Sequence, residues 1–236
     1  MLCLVFLSLP QSWFGAMASM LACTQNRLIT VEGIVGSGKS TILRACAARF
    51  PHARVIPEMV EAWQNLPTRD GPVNLLENFY ADPKLHSFKF QVHVLQTLVA
   101  GHLDGLPADV PRLAERSVHS SVRLFAKMLL DKHHLAADEY AVLDGWYQLA
   151  CRTMPVRPQF VIHVDTSPSV ALDRIRSRGR PEERDVSLEY LIEMKLYQDR
   201  LFIDGTYPCE VITLNGNQSP ERVLSDLLVH APRLFL

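Results

Sequence analysis

The feature that most constrains this chain is the octapeptide Gly33-Ile34-Val35-Gly36-Ser37-Gly38-Lys39-Ser40. A G-x-x-x-x-G-K-[ST] run has chemical meaning only between a strand and a helix. Both flanks fit: Leu28 to Glu32 reads as a first strand, and Lys39 to about Arg49 as a helix. Glycines let the backbone curl until successive N–H groups face one point, and the helix N-terminus adds the positive end of its dipole. Such a loop cradles phosphate. In that pattern Lys39 reaches the β- and γ-phosphates of a nucleotide, the Ser40 hydroxyl helps to hold Mg²⁺, and Thr41 completes the mouth of the loop. A GTPase would also carry an N-K-x-D base-reading motif, which is missing, since Asp131-Lys132 is not preceded by Asn-Lys. Nor does an aspartate follow four apolar residues near the loop, as in motor ATPases. A small-molecule kinase fits these features best.

Beyond the loop, short β-rich runs alternate with helical patterns. Strands are predicted at 54–58, 112–115, 160–164 and 211–214, and helices at 74–80, 87–103, 117–130, 138–151, 168–178, 187–202 and 220–230. Ser167 and Pro168 supply an N-cap and a first-turn proline. Alternation of this kind implies a central parallel sheet, here of about five strands, with helices on both faces. Ligands then sit beyond the carboxyl ends of the strands.

The charged residues of interest fall at those ends. Glu58 closes the second strand, where a carboxylate can accept a hydroxyl proton during in-line attack on phosphorus. Glu115-Arg116-Ser117 closes the third. Glu115 suits Mg²⁺, and Arg116 suits the charge of a transferring phosphoryl group. Arg174, Arg176, Arg178 and Arg180 form a run before Pro181-Glu182-Glu183; at i,i+4 spacing Arg174 pairs with Arg178 and Arg176 with Arg180. Arg178-Gly179-Arg180-Pro181 breaks the helix and suggests a lid over the phosphates.

Several further motifs appear in order: Ile56-Pro57-Glu58-Met59-Val60-Glu61-Ala62-Trp63, Asn74-Leu75-Leu76-Glu77-Asn78-Phe79-Tyr80, Phe90-Gln91 and Arg178 to Glu183. With the phosphate loop and Glu115-Arg116-Ser117, they make residues 28–230 resemble the deoxyribonucleoside kinases. That group includes the deoxycytidine, deoxyguanosine and mitochondrial-type thymidine kinases and the insect multisubstrate enzyme. The resemblance implies a P-loop kinase fold with a lid, ATP with Mg²⁺, a small-molecule deoxynucleoside as acceptor, and a homodimer. It implies Glu58 as general base, Arg116 near the 5′-hydroxyl, Glu115 on the magnesium side, and Arg174, Arg178 and Arg180 as lid arginines. Tyr80 and Glu183 correspond to the pair that binds the sugar 3′-hydroxyl, Gln91 to the glutamine on the base edge, and Trp63 and Phe125 to aromatics around the nucleoside. Two positions opposite that glutamine carry arginine and aspartate in cytosine-preferring members; here they are Leu98 and Ser121. The pair implies acceptance of thymidine as well as deoxycytidine. Met59 replaces the usual proline after the base, which is expected to loosen the approach of Glu58, and His86 replaces a common tryptophan, which is expected to reshape a pocket wall.

Composition sets the remaining bounds. With 236 residues and a net charge of −1, the chain suits one domain over residues 27–236 and shows no signature of a nucleic-acid binder. Leu2 to Leu9 is apolar but too short to span a membrane, and no Lys or Arg precedes Arg27. Residues 1–26 therefore read as a poorly ordered extension rather than a targeting segment. Five scattered cysteines without a C-x-x-C pair favour a reducing compartment, the cytoplasm. Two other readings remain open on the sequence: a nucleoside monophosphate kinase such as thymidylate kinase, and a switch that binds ATP without transferring it.

Overall fold

The structure is a computed structural model that describes residues 27–104, 110–202, 207 and 209–235. The expected extension at 1–26 lies outside the described residues. Five strands, β1 (Leu28–Glu32), β2 (Arg54–Ile56), β3 (Arg112–Glu115), β4 (Phe160–Asp165) and β5 (Glu210–Asn215), form one sheet in the order β2-β3-β1-β4-β5. Every pairing is parallel.

The helices are α1 (Lys39–Arg49), α2 (Val60–Gln64), α3 (Leu75–Ala81), α4 (Pro83–Leu103), α5, α6 (Ala137–Thr153), α7 (Pro168–Arg178), α8 (Leu188–Phe202), α9 (Pro220–Leu228) and α10 (Ala231–Phe235). Helix α5 begins at Val118–Ser120, widens to π-helical pitch over Ser121–Ala126, and resumes as α-helix over Lys127–Asp131. Alternation along β1 explains the layering. Ile29 and Val31 pack with α1, α9 and α10 residues such as Ile42, Val223 and Phe235. On the opposite side Val161 of β4 joins Leu124, Ala171 and Met194, from α5, α7 and α8. A third cluster, with Trp63, Phe79, Phe90 and Leu143, knits α2 through α6 together.

Four local expectations are corrected. Strand β2 stops at Ile56 rather than Glu58, because Pro57 has no N–H to continue the ladder. Helix α4 starts at Pro83, not Ser87: the Asp82 side chain accepts from the Leu85 N–H at 3.1 Å, and Pro83 occupies the first turn. Ser167 does stand before α7, but its hydroxyl makes no capping bond. Helix α7 ends at Arg178 as expected, because Gly179 turns left-handed at φ 67°; the pairing of Arg176 with Arg180 is what is corrected, since Arg180 lies beyond the helix and shares no helical face with Arg176.

Candidate active site

The strand order places β3 between β1, which feeds the phosphate loop, and β2, which leads to Glu58. The last residue of β3, Glu115, therefore lies between donor-side and acceptor-side groups. Ser40 Oγ donates to Glu115 Oε2 at 2.8 Å, and Lys39 Nζ stands 3.8 Å from Glu115 Oε1. Lys39 also donates to the Ile34 carbonyl at 3.0 Å. Two loop positions require glycine. Gly36 has φ +79°, and a Cβ there would come within 2.4 Å of the Ala171 carbonyl oxygen; Gly38 has φ +103°. Arg174 supports the loop from outside, donating to the Ser37 carbonyl at 3.1 Å.

Arg116 adopts φ 69°, a left-handed conformation that costs about 1–3 kcal/mol for a side chain of this size. Its guanidinium Nε donates to Glu58 Oε1 at 2.5 Å, and its Cζ lies 4.5 Å from the centre of the Phe125 ring. Burial by itself would raise the Glu58 pKa, but the nearby Arg116, Lys39 and Arg180 charges hold it below the usual carboxylate value. Lys39 is pulled down to about 8 by burial and by Arg116, against the attraction of Glu115, Glu58 and Glu32. Burial pushes Glu32, which lies under the loop, up to about 7, although Ser117, Arg116 and Ser120 favour its charged form.

A cavity of about 410 Å³ opens beside these groups, within the range of small-molecule sites. Its lining includes Val35, Gly36, Gly38, Lys39, Ser40, Thr41, Glu58, Trp63, Tyr80, Gln91, Leu98, Glu115, Arg116, Ser121, Phe125, Arg174, Arg178, Arg180 and Glu183. Trp63 meets Phe90 edge-on at 5.8 Å, and Phe79 stacks on Phe90 at 4.7 Å. The Trp63 indole N–H is satisfied by Thr97 Oγ1 at 2.9 Å. By contrast, Gln91 Oε1 and Ser121 Oγ are buried with no hydrogen-bond partner among the described residues. Two unsatisfied polar atoms on one cavity wall are what a wall built for a polar ligand presents.

Some predicted residues occupy different places. Gly33, Ile34 and Ser37 are not part of the cavity wall. The Gln198 amide oxygen accepts from the Gly33 and Ile34 N–H groups at 3.2 Å each while its nitrogen donates to His163 Nε2 at 3.2 Å, and the Ser37 N–H bonds the Ile34 carbonyl. Those amides anchor the root of the loop. Glu183 accepts from Arg178 at 2.5 Å and from Arg180 at 3.4 Å, so the two arginines and this acid form one unit. A carboxylate has about four acceptor directions, which leaves it able to take a further donor. Neither Met59 nor His86 lines the cavity; Met59 packs against Leu28, Ile56 and Ala114.

Other residues of the site escaped the sequence reading. Tyr190, in the first turn of α8, lines the cavity, as do Arg44, Val60, Leu76, Val94, Met128 and Leu129. Phe79 and Phe90 stood inside quoted motifs without a role. For His163 there was a signal, a polar residue interrupting an otherwise apolar buried strand.

Sequence comparison agrees with this geometry. The pattern described as "Deoxynucleoside kinase" matches residues 29–230. "Deoxycytidine kinase 2" of Gallus gallus is 25% identical, covering 94% of this chain and 96% of its own length. "Thymidine kinase 2, mitochondrial" of Homo sapiens is 29% identical, covering 84% and 73%. "Deoxyadenosine kinase" of Dictyostelium discoideum is 32% identical, covering 83% and 75%. A match across most of the chain, on a five-stranded parallel sheet with a phosphate loop at its carboxyl edge, identifies this protein as a member of the deoxynucleoside kinase family and an enzyme of that class.

Proposed function

We propose that the enzyme transfers the γ-phosphoryl group of ATP to the 5′-hydroxyl of pyrimidine deoxynucleosides, thymidine and deoxycytidine. The relatives' names span several bases, so base choice is argued from the pocket. The observation that carries it is the buried, unpartnered Gln91 Oε1, with Ser121 Oγ unpartnered and Leu98 on the same cavity. Thymine offers an N3–H donor beside a carbonyl, and cytosine an exocyclic amine beside an acceptor nitrogen. One amide serves both by rotating its oxygen and nitrogen. Leu98 and Ser121 carry no charge that would demand the amine, and their small volume suits the thymine 5-methyl.

In this reading Glu58, held ionised, accepts the 5′-hydroxyl proton as the new P–O bond forms and the bond to the β-phosphate oxygen breaks. Arg116, Arg178 and Arg180 balance charge on the phosphoryl group. The paired oxygens of Ser40 and Glu115 are hard donors of the kind that suit Mg²⁺; when bound, the ion would neutralise phosphate charge. Tyr80 and Glu183 read the 3′-hydroxyl.

A homodimer is the expected assembly. Exposed large apolar side chains lie on α6, at Val142, Trp146 and Leu149, on α4, which packs against it, at Leu85 and Val92, and on α8, at Ile192 and Leu196. Among the described residues no helix is long and apolar enough to cross a membrane. We place the enzyme in a reducing compartment, the cytoplasm, on its scattered cysteines without a C-x-x-C pair and on the free thiols of Cys46, Cys151 and Cys209.

The test is turnover with labelled ATP across all four deoxynucleosides and thymidine monophosphate. Thymidine and deoxycytidine should be comparable and purines much weaker. A strong purine preference would overturn the base assignment, preference for the monophosphate would make the protein a nucleotide kinase, and tight ATP binding without turnover would make it a switch.

A further inference from the structure

We infer that His102 is a positioning residue for phosphoryl transfer: its imidazole holds the Arg116 carbonyl and so keeps Arg116 in the left-handed conformation that aims its guanidinium at Glu58. The inference rests on the reading of Arg116 as a group that acts on the phosphoryl. A left-handed arginine persists only where its surroundings over-determine it. Three grips are visible. The Arg116 N–H donates to the Val31 carbonyl at 3.1 Å, its guanidinium donates to Glu58, and His102 Nε2 lies 3.2 Å from its carbonyl oxygen. The first grip ties the residue to the sheet but leaves its other peptide group undetermined. The second depends on the conformation it would have to explain. The peptide after the left-handed turn is held on its N–H side by a long bond from Ser117 to Ser120 Oγ at 3.4 Å; the third grip holds its carbonyl side, and without it a buried carbonyl loses its partner.

The chemistry of His102 suits a fixed strut. A carbonyl only accepts, so Nε2 carries the hydrogen, and Nδ1 has no partner among the described residues. Burial, with Arg112 nearby, pulls the imidazole down to about 4 against the pull of the Arg116 carbonyl, so it stays neutral. The ring is 1% exposed near the end of α4. That end is pinned twice. The Arg112 guanidinium donates to the His102 carbonyl. At Gly101 the helix lies so close to β2 that a Cβ would meet Ile56 Cγ2 at 3.2 Å.

The test uses the full-length enzyme and four variants. His102→Leu removes the donor; His102→Gln returns an N–H at similar reach. The Leu variant should lose about tenfold or more in kcat with nucleoside and ATP KM within about twofold of the parent. The Gln variant should recover most of that loss. Arg116→Ala and the double variant Arg116→Ala/His102→Leu decide the route. If His102 acts through Arg116, adding His102→Leu to Arg116→Ala changes the residual turnover by less than about twofold. Equal losses in both backgrounds would show a general structural role and overturn the inference while leaving Arg116 in place. Full turnover by Arg116→Ala alone would instead remove the reading on which the inference rests.

Discussion

At the scale of single residues, Glu58 makes the sharpest prediction. Glu58→Gln keeps the shape but loses the proton acceptor, so kcat should fall by about a hundredfold with little change in nucleoside affinity, read by single-turnover and binding measurements. Because the surrounding cations hold its carboxyl below the ordinary value, turnover should persist above that lowered pKa and fall only as pH drops through it. An acid limb of kcat/KM lying above the normal carboxylate range would contradict this. Glu32 behaves oppositely. Its pKa is about 7 folded against an ordinary 4.5, so between those values the folded state binds the extra proton and stability decreases as pH rises. Glu32→Gln should flatten that trend, visible as a smaller Tm difference between pH 5 and pH 8. Both carboxylates could be picked out as strand-end residues, and the structure sets Glu58 against Arg116. The burial of Glu32 was not legible, because it depends on Ser117, Ser120 and Arg116 from a distant part of the chain.

At the scale of elements, the turn from Arg178 to Glu183 and the start of α4 are informative. Arg178 and Arg180 each donate to Glu183, and Tyr80 feels the charge of Glu183. Tyr80→Phe should therefore narrow the preference for thymidine over 3′-deoxythymidine, a gap of about 1–3 kcal/mol for a buried hydroxyl partner; an unchanged kcat/KM ratio would place the sugar elsewhere. Helix positions were largely readable from apolar spacing, but not always the buried face: on α4 that spacing picks out Phe88, Val92, Leu95 and Val99, whereas Val92 is exposed and the buried side carries Phe90, Val94, Leu95 and Leu98. Ends were less so. The apolar stripe alone suggested a start at Ser87, although Asp82-Pro83 spelled the cap. Nothing in the letters of Ser121–Ala126 announces a π-helical stretch, since its residues are ordinary helix formers and the widening depends on packing around them. Likewise the short α2 and α10 owe their form to the clusters they close, not to local periodicity.

For the whole molecule, alternation of strand and helix made a parallel sheet legible, but not its order, which depends on which edges meet in space. Base choice belongs to this scale because its determinants come from separate elements. Leu98→Arg with Ser121→Asp should suppress thymidine relative to deoxycytidine in a competition assay, and an unchanged ratio would refute the pocket assignment. Trp146, 61% exposed on α6, should carry part of a subunit contact, so Trp146→Glu should shift the enzyme towards monomers in sedimentation. The sheet order also bears on synthesis. β1 and β2 are consecutive in the chain, yet they pair only through β3, which is made later. While the ribosome is still translating the stretch before Arg112, β1 has emerged with both hydrogen-bonding edges open and no partner for either. A nascent chain paused there would be exposed to edge-to-edge association, and the phosphate loop could not be held against Glu115 until translation had passed that point.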